Sequence, residues 1–197
     1  SPDKGKAGMG SPQVATPIMP VDHAAVLQPV KQQQAQSRAS QAIIDPFKGW
    51  QKIGLRGEKL VVDAPQWAAV VDEKTKLMWA INPKKTTDST NQKEKMTWDE
   101  AQEWAKYVSR QGWCGYNDWR LPTIDELKTL LLPKKYKNLH LREDVFTDIN
   151  TNSYWVWSSS LVAGNSNYAW IVSFDNGYGS HYTKYVNHYV RLVRSSQ

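Results

Sequence analysis

Two helix starts on either side of an aromatic loop constrain this chain more than any other feature. Thr97-Trp98-Asp99-Glu100 and Thr123-Ile124-Asp125-Glu126 each place a threonine three residues ahead of a glutamate. That spacing predicts a capping box, in which the threonine oxygen and the glutamate carboxylate satisfy backbone N–H groups left over at the helix start. Between the two helices runs Gly112-Trp113-Cys114-Gly115-Tyr116-Asn117-Asp118-Trp119-Arg120-Leu121-Pro122. The first helix is expected over Thr97–Arg110, with Trp98, Ala101, Ala105 and Val108 as its inner stripe and Gly112 as its stop. The second is expected over Thr123–Leu132, closed by Pro133.

The rest of the globular part reads as strands. Short ones fit Lys59–Asp63, Trp67–Asp72 and Leu77–Ile81. Later ones fit Tyr154–Ser159, Tyr168–Phe174 and Tyr189–Arg194, the last with Val190 and Leu192 on one face and Arg191 and Val193 on the other. Asp175-Asn176-Gly177 predicts a hairpin with a type I′ turn, because Asn-Gly accepts positive φ angles. Helices early and antiparallel strands late make the fold class α+β.

Residues 1–20, rich in Pro, Gly, Ser and Lys, read as an irregular stub. Gly5 and Gly8 stand three apart there, a spacing that chance provides and that the end of a Gly-X-Y tract also provides. Residues 21–46 read as a polar N-terminal helix ended by Asp45-Pro46. Such a helix is marginal alone and is expected to pack, for instance on copies of itself as a trimerisation helix. The globular domain is expected over 47–197.

The chain has 197 residues, ten tryptophans, nine tyrosines and a formal charge of +6, with a pI near 9.3. That balance points to an anionic partner, or simply to solubility. Cys114 is the one cysteine, so neither an intrachain disulfide nor a cysteine zinc site can form. No apolar run approaches the roughly 20 residues that cross a bilayer, so membrane insertion is not expected.

Several segments together resemble a bacterial family, the Lcl C-terminal domains, typified by the C-terminal domain of the Legionella collagen-like protein. They are Asp72…Leu77-Met78-Trp79, Thr97-Trp98-Asp99-Glu100-Ala101, Asn117-Asp118-Trp119-Arg120-Leu121-Pro122-Thr123-Ile124-Asp125-Glu126-Leu127, Trp155…Trp157-Ser158-Ser159-Ser160, Ala169-Trp170, Phe174-Asp175-Asn176-Gly177 and Tyr189-Val190-Arg191-Leu192-Val193-Arg194. The resemblance implies a C-type-lectin-like domain with two helices and a twisted antiparallel sheet. It also implies a secreted or cell-surface adhesin, trimeric at the end of a collagen-like stalk, that binds sulfated glycosaminoglycans.

Read from the residues, the sharpest binding signal is Pro133-Lys134-Lys135-Tyr136-Lys137-Asn138, with Arg142 after it. Two basic residues, a spacer and a third recur in heparin-binding segments. Flexible ammonium groups follow dense sulfates as point charges, and counterion release drives association. The alternative is a solvated loop whose lysines serve solubility. Further basic candidates are Lys84, Lys85, Lys93, Lys95, Lys184, Arg191 and Arg194, the two arginines being equally suited to structural ion pairs. A second candidate face runs from Asn165 to His188. There Asn165, Asn167, Tyr168, Asn176, Tyr178, Ser180, His181, Tyr182, Asn187 and His188 resemble a paratope in composition, or serve as turn formers and sheet aromatics. This face would read a protein receptor instead of a glycan.

No metal or cofactor is expected. Asp118, Asp125 and Glu126 fit a loop and a helix start, and His140, His181 and His188 lack ligand spacing. The Glu-Pro-Asn and Gln-Pro-Asp segments that classical C-type lectins use for calcium are absent. Formylglycine-generating oxidases have a similar Arg-Leu-Pro-Thr helix start, but their copper chemistry needs two cysteines. Catalysis is therefore not expected, and nucleic acid is not the expected partner.

Overall fold

The computed structural model describes residues 47–83 and 94–197. The stub over 1–20 and the helix over 21–46 lie outside the described residues, as do Lys84, Lys85 and Lys93.

The described part is α+β, with nine strands in two sheets. The first sheet has the order β1-β2-β3-β9, from Trp50–Ile53, Ala69–Asp72, Leu77–Ala80 and Val193–Ser195. The second has the order β4-β8-β5-β6-β7, from Lys95–Met96, His188–Tyr189, Trp155–Val162, Asn165–Ser173 and Tyr178–Thr183. All neighbours are antiparallel except β5 and β8, which run parallel. Helix α1 spans Trp98–Arg110 and helix α2 spans Ile124–Lys128.

Both predicted capping boxes form. Thr97 and Thr123 each accept from the backbone three residues on, and Glu100 and Glu126 each return to the threonine N–H at 2.9 Å. The second helix is shorter than expected. Leu130 and Leu131 donate back only three residues, to Leu127 and Lys128, and Leu132 donates to the His140 carbonyl instead. The last turn thus tightens and opens before Pro133 is reached.

Three other expectations need correction. Lys59–Asp63 is not a strand. Only Lys59 bridges to Ile53, and the strand that pairs with β2 on its side away from β3 is the unforeseen β1. The hairpin at Asp175-Asn176-Gly177 exists, but its turn is not type I′, since only Gly177 (φ 80°) is left-handed. The Ser173 hydroxyl donates to Asp175 and accepts from the Asn176 backbone and amide, which holds both residues right-handed. The expected closing strand is two strands. His188–Tyr189 lies in the second sheet and Val193–Ser195 in the first, so the chain changes sheets across Val190–Leu192.

Because paired residues share a sheet face, each sheet divides its side chains between two cores. Val70, Trp79, Val193, Val156 and Val172 meet Leu127 beside α2. Ala69, Met78, Trp157, Ala169 and Ile171 meet Ala101, Ala105 and Val108 of α1. Fully burying one such side chain stabilises by about 1.5–3 kcal/mol. Five indoles are struts between distant segments. Trp67, Trp98, Trp113, Trp119 and Trp157 donate to the carbonyls of Val145, Ser158, Ala68, Trp113 and Met96. The aromatic loop takes left-handed backbone at Gly112, Cys114 and Gly115. A Cβ on Gly57 would stand 2.7 Å from the Cys114 carbonyl oxygen, so that close approach requires glycine.

Candidate ligand-binding surfaces

The basic loop follows α2. Lys134, Lys135, Tyr136, Lys137 and Asn138 are all exposed. One buried-side anion organises it. The Glu143 carboxylate accepts from the backbone N–H groups of Lys137, Asn138 and Leu139 at 2.9, 2.8 and 3.2 Å. Leu139 is fully buried, so the loop is fixed at its base while its lysines extend outward. The three lysines have no ion-pair partner among the described residues. Arg142 differs. It makes a two-pronged contact with Asp144 at 2.8 Å and lies over the Tyr136 ring. Asp144 holds the Arg142 pKa above its ordinary value. In the sequence no acid separates the lysines from Arg142, but in the fold two acids stand among them.

The other basic candidates separate by burial. Arg191 is 4% exposed and donates to Asp148, the Tyr154 hydroxyl and the Ala80 carbonyl at 2.8–2.9 Å. Burial pulls its pKa down, but Asp148 and Tyr154 more than offset that and keep it charged. Arg194 is 8% exposed, contacts Asp118 at 2.6 and 3.2 Å and stacks on Tyr116. Both were ligand candidates and both are structural, tying the closing segment to its neighbours. Lys184 lies over the Trp98 ring, 3.6 Å from Asp99, and is mostly covered. Lys95 is exposed beside Tyr189. The sequence offered no sign of Lys128, whose Cε lies where a side chain at Gly179 would need space.

The basic loop also reaches the second candidate face. The His140 ring stands against Gly177, close enough that a Cβ there would be 3.1 Å away. His140 also receives Gly177's hairpin through its own N–H to the Phe174 carbonyl. Along that face Asn165, Asn167, Tyr178, His181 and Tyr182 are exposed, whereas Tyr168 and Ser180 are half-buried. His188 does not face solvent. It is enclosed by Trp155, Trp157 and Tyr182, with ring centroids 4.7–6.3 Å away. Burial, with Lys95 adding to it, lowers its pKa to about 4, so it is neutral at physiological pH. Beside it Lys95, Ser153, Trp155, Tyr182, Asn187 and Tyr189 line a shallow cavity of about 270 Å³.

A larger cavity, about 960 Å³, is lined among the described residues by Glu94, Asp99, Glu100, Glu103 and Asp148, by Arg110 and Arg191, and by Trp104, Tyr107, Tyr154 and Tyr189. Of its carboxylates, Glu100 is engaged in the Thr97 cap, Asp99, Glu103 and Asp148 pair with Lys184, Lys106 and Arg191, and Glu94 accepts from the Asn150 amide. Their sign opposes entry of a polyanion. Among the described residues no cluster of three metal-ligating side chains forms, and no helix is long and apolar enough to cross a membrane.

A protein-family model, the Lcl C-terminal domain, matches residues 68–194. No curated protein matches the chain, and no solved structure does.

Proposed function

The chain belongs to the Lcl C-terminal domain family, which suggests a surface-associated, adhesin-like domain, and from that premise we propose that it binds sulfated glycosaminoglycans through the 133–142 loop. One observation carries the reading. Lys134, Lys135 and Lys137 extend from a loop pinned by Glu143, while Arg142, Arg191 and Arg194 already have carboxylate partners. Unpaired, exposed ammonium groups on a fixed backbone suit a flexible polyanion. They release its condensed counterions without first breaking an ion pair with a described residue. Each such lysine contributes on the order of 1 kcal/mol, by analogy with anionic lipid surfaces, so one loop binds weakly. Trimerisation through residues 21–46 would present three loops to one glycan chain and raise avidity with no new contact. A C-type-lectin-like architecture, display outside the cell and the absence of catalysis complete the proposal.

A protein receptor read by the Asn165–His188 face is the second reading. It is favoured by Tyr178, Tyr182 and Tyr185, which are 51%, 37% and 78% exposed. A glycan array at two ionic strengths tests both. Binding to sulfated chains that is lost on desulfation and falls sharply with salt is expected. Equal binding to desulfated chains would overturn the glycosaminoglycan reading.

A further inference from the structure

The small cavity at the other end of β7 has a composition that the lysine loop lacks. From Gly177, which touches His140, to Tyr182 the strand runs about 17 Å at 3.4 Å per residue, so the two places are separate. Tyr182 and Trp155 meet edge to face at 5.7 Å and form an aromatic corner. Tyr182 is 37% exposed, so part of that corner faces solvent. Ser153 and Asn187, both exposed, supply a hydroxyl and an amide at the rim. Lys95, also exposed, has no carboxylate partner among the described residues. Beneath the corner lies His188, 8% exposed, whose buried Nε2 has no hydrogen-bond partner among the described residues. Among the described residues that line the cavity, Lys95 is the one lysine, arginine or carboxylate.

We propose that this cavity is a subsite for a single anionic sugar ring. The apolar face of the ring would lie on Trp155 and Tyr182, its hydroxyls would meet Asn187 and Ser153, and its carboxylate or sulfate would meet Lys95. Aromatic walls with a few convergent polar groups are what a small-ligand site requires, and the volume admits one ring rather than a chain. The proposal rests on the glycosaminoglycan reading only for its class of sugar. It adds a ring-recognising site to a loop that reads charge alone.

The test uses a sulfated heparin disaccharide, too short to draw on several lysine loops, and follows the indole and amide NMR signals of the whole protein. The disaccharide is expected to shift the Trp155 indole and Asn187 signals. Lys95→Ala and Asn187→Ala, both at the exposed rim, should each weaken that binding about tenfold, one lost contact of about 1.4 kcal/mol. In the Lys134→Ala/Lys135→Ala/Lys137→Ala variant, any shifts at residues 133–142 should disappear while those of Trp155 and Asn187 persist. Shifts confined to residues 133–142, or full binding by Lys95→Ala, would overturn the subsite while leaving the lysine-loop reading intact. Heparin chains that fail to bind, with a disaccharide that still shifts Trp155, would overturn the loop reading and keep the subsite. Equal binding of an uncharged disaccharide would overturn the anionic assignment.

Discussion

Changing Lys134, Lys135 and Lys137 together to alanine tests the proposed function quantitatively, because the fold says how many cations are available. These three have no ion-pair partner among the described residues, whereas Arg142 is held by Asp144 and Arg191 and Arg194 are buried. Each phosphate contact on a nucleic acid adds about 0.7–0.9 to the slope of log affinity against log salt. If sulfates behave alike, losing three contacts lowers the slope by about 2.1–2.7. Between 50 and 200 mM salt, wild type should then lose about 20–40-fold more affinity than the variant. At low salt the variant should bind about 100-fold more weakly, three contributions of about 1 kcal/mol each. Titration calorimetry of heparin oligosaccharides at four salt concentrations measures both numbers. The side chains are exposed, so the melting temperature should not move. A slope that changes by less than about 1, in a variant that melts like wild type, would refute the assignment.

Other outcomes follow from the buried polar groups. Arg191→Met should destabilise the domain by about 3–5 kcal/mol, because Asp148 is left without its buried partner; a variant with the wild-type urea midpoint would contradict the structural role given to Arg191. His188 titrates near 4 in the folded chain against an ordinary 6.5. The unfolded chain therefore takes up the proton first, and stability falls as pH drops from about 6.5 toward 4, by up to about 3 kcal/mol. Urea unfolding across that range should show the loss for wild type and much less of it for His188→Gln. Burial raises the Cys114 thiol to about 12, so a thiol reagent should label it only at the rate of unfolding; fast labelling of the native chain would show that the aromatic loop opens.

Features set by neighbouring residues were legible in the sequence. Both capping boxes, the end of α1 and the strands β2 and β3 depend on residues within a few positions, and they lie within the spans that spacing and composition marked. What escaped depends on distant partners. Glu143 and Asp144 look like ordinary acids downstream of the lysine run, yet they return to pin the loop and to occupy Arg142. The alternation through Tyr189–Arg194 reads as one strand, and nothing local marks the change of sheet. Arg191 could be assigned only once Asp148, Tyr154 and Ala80 were known to surround it. The Asn165–His188 composition placed His188 at the surface, because burial beneath Trp155 and Tyr182 is set by strand order.

The crossing at Val190–Leu192 bears on how the domain would carry a mechanical load. Strand β1 is an outer strand of the first sheet, while the aromatic cavity belongs to the second sheet. A pull between those points must pass through the interior. Part of it travels along the covalent link from β8 to β9, where Arg191 clamps the middle of the link and Arg194 clamps β9. The rest meets β1, whose Lys52 ammonium holds the Val62 and Ala64 carbonyls at 2.6 Å. That clasp folds residues 54–64 over the strand edge, so a pull on β1 has to break a charged fastening before it can peel that strand away.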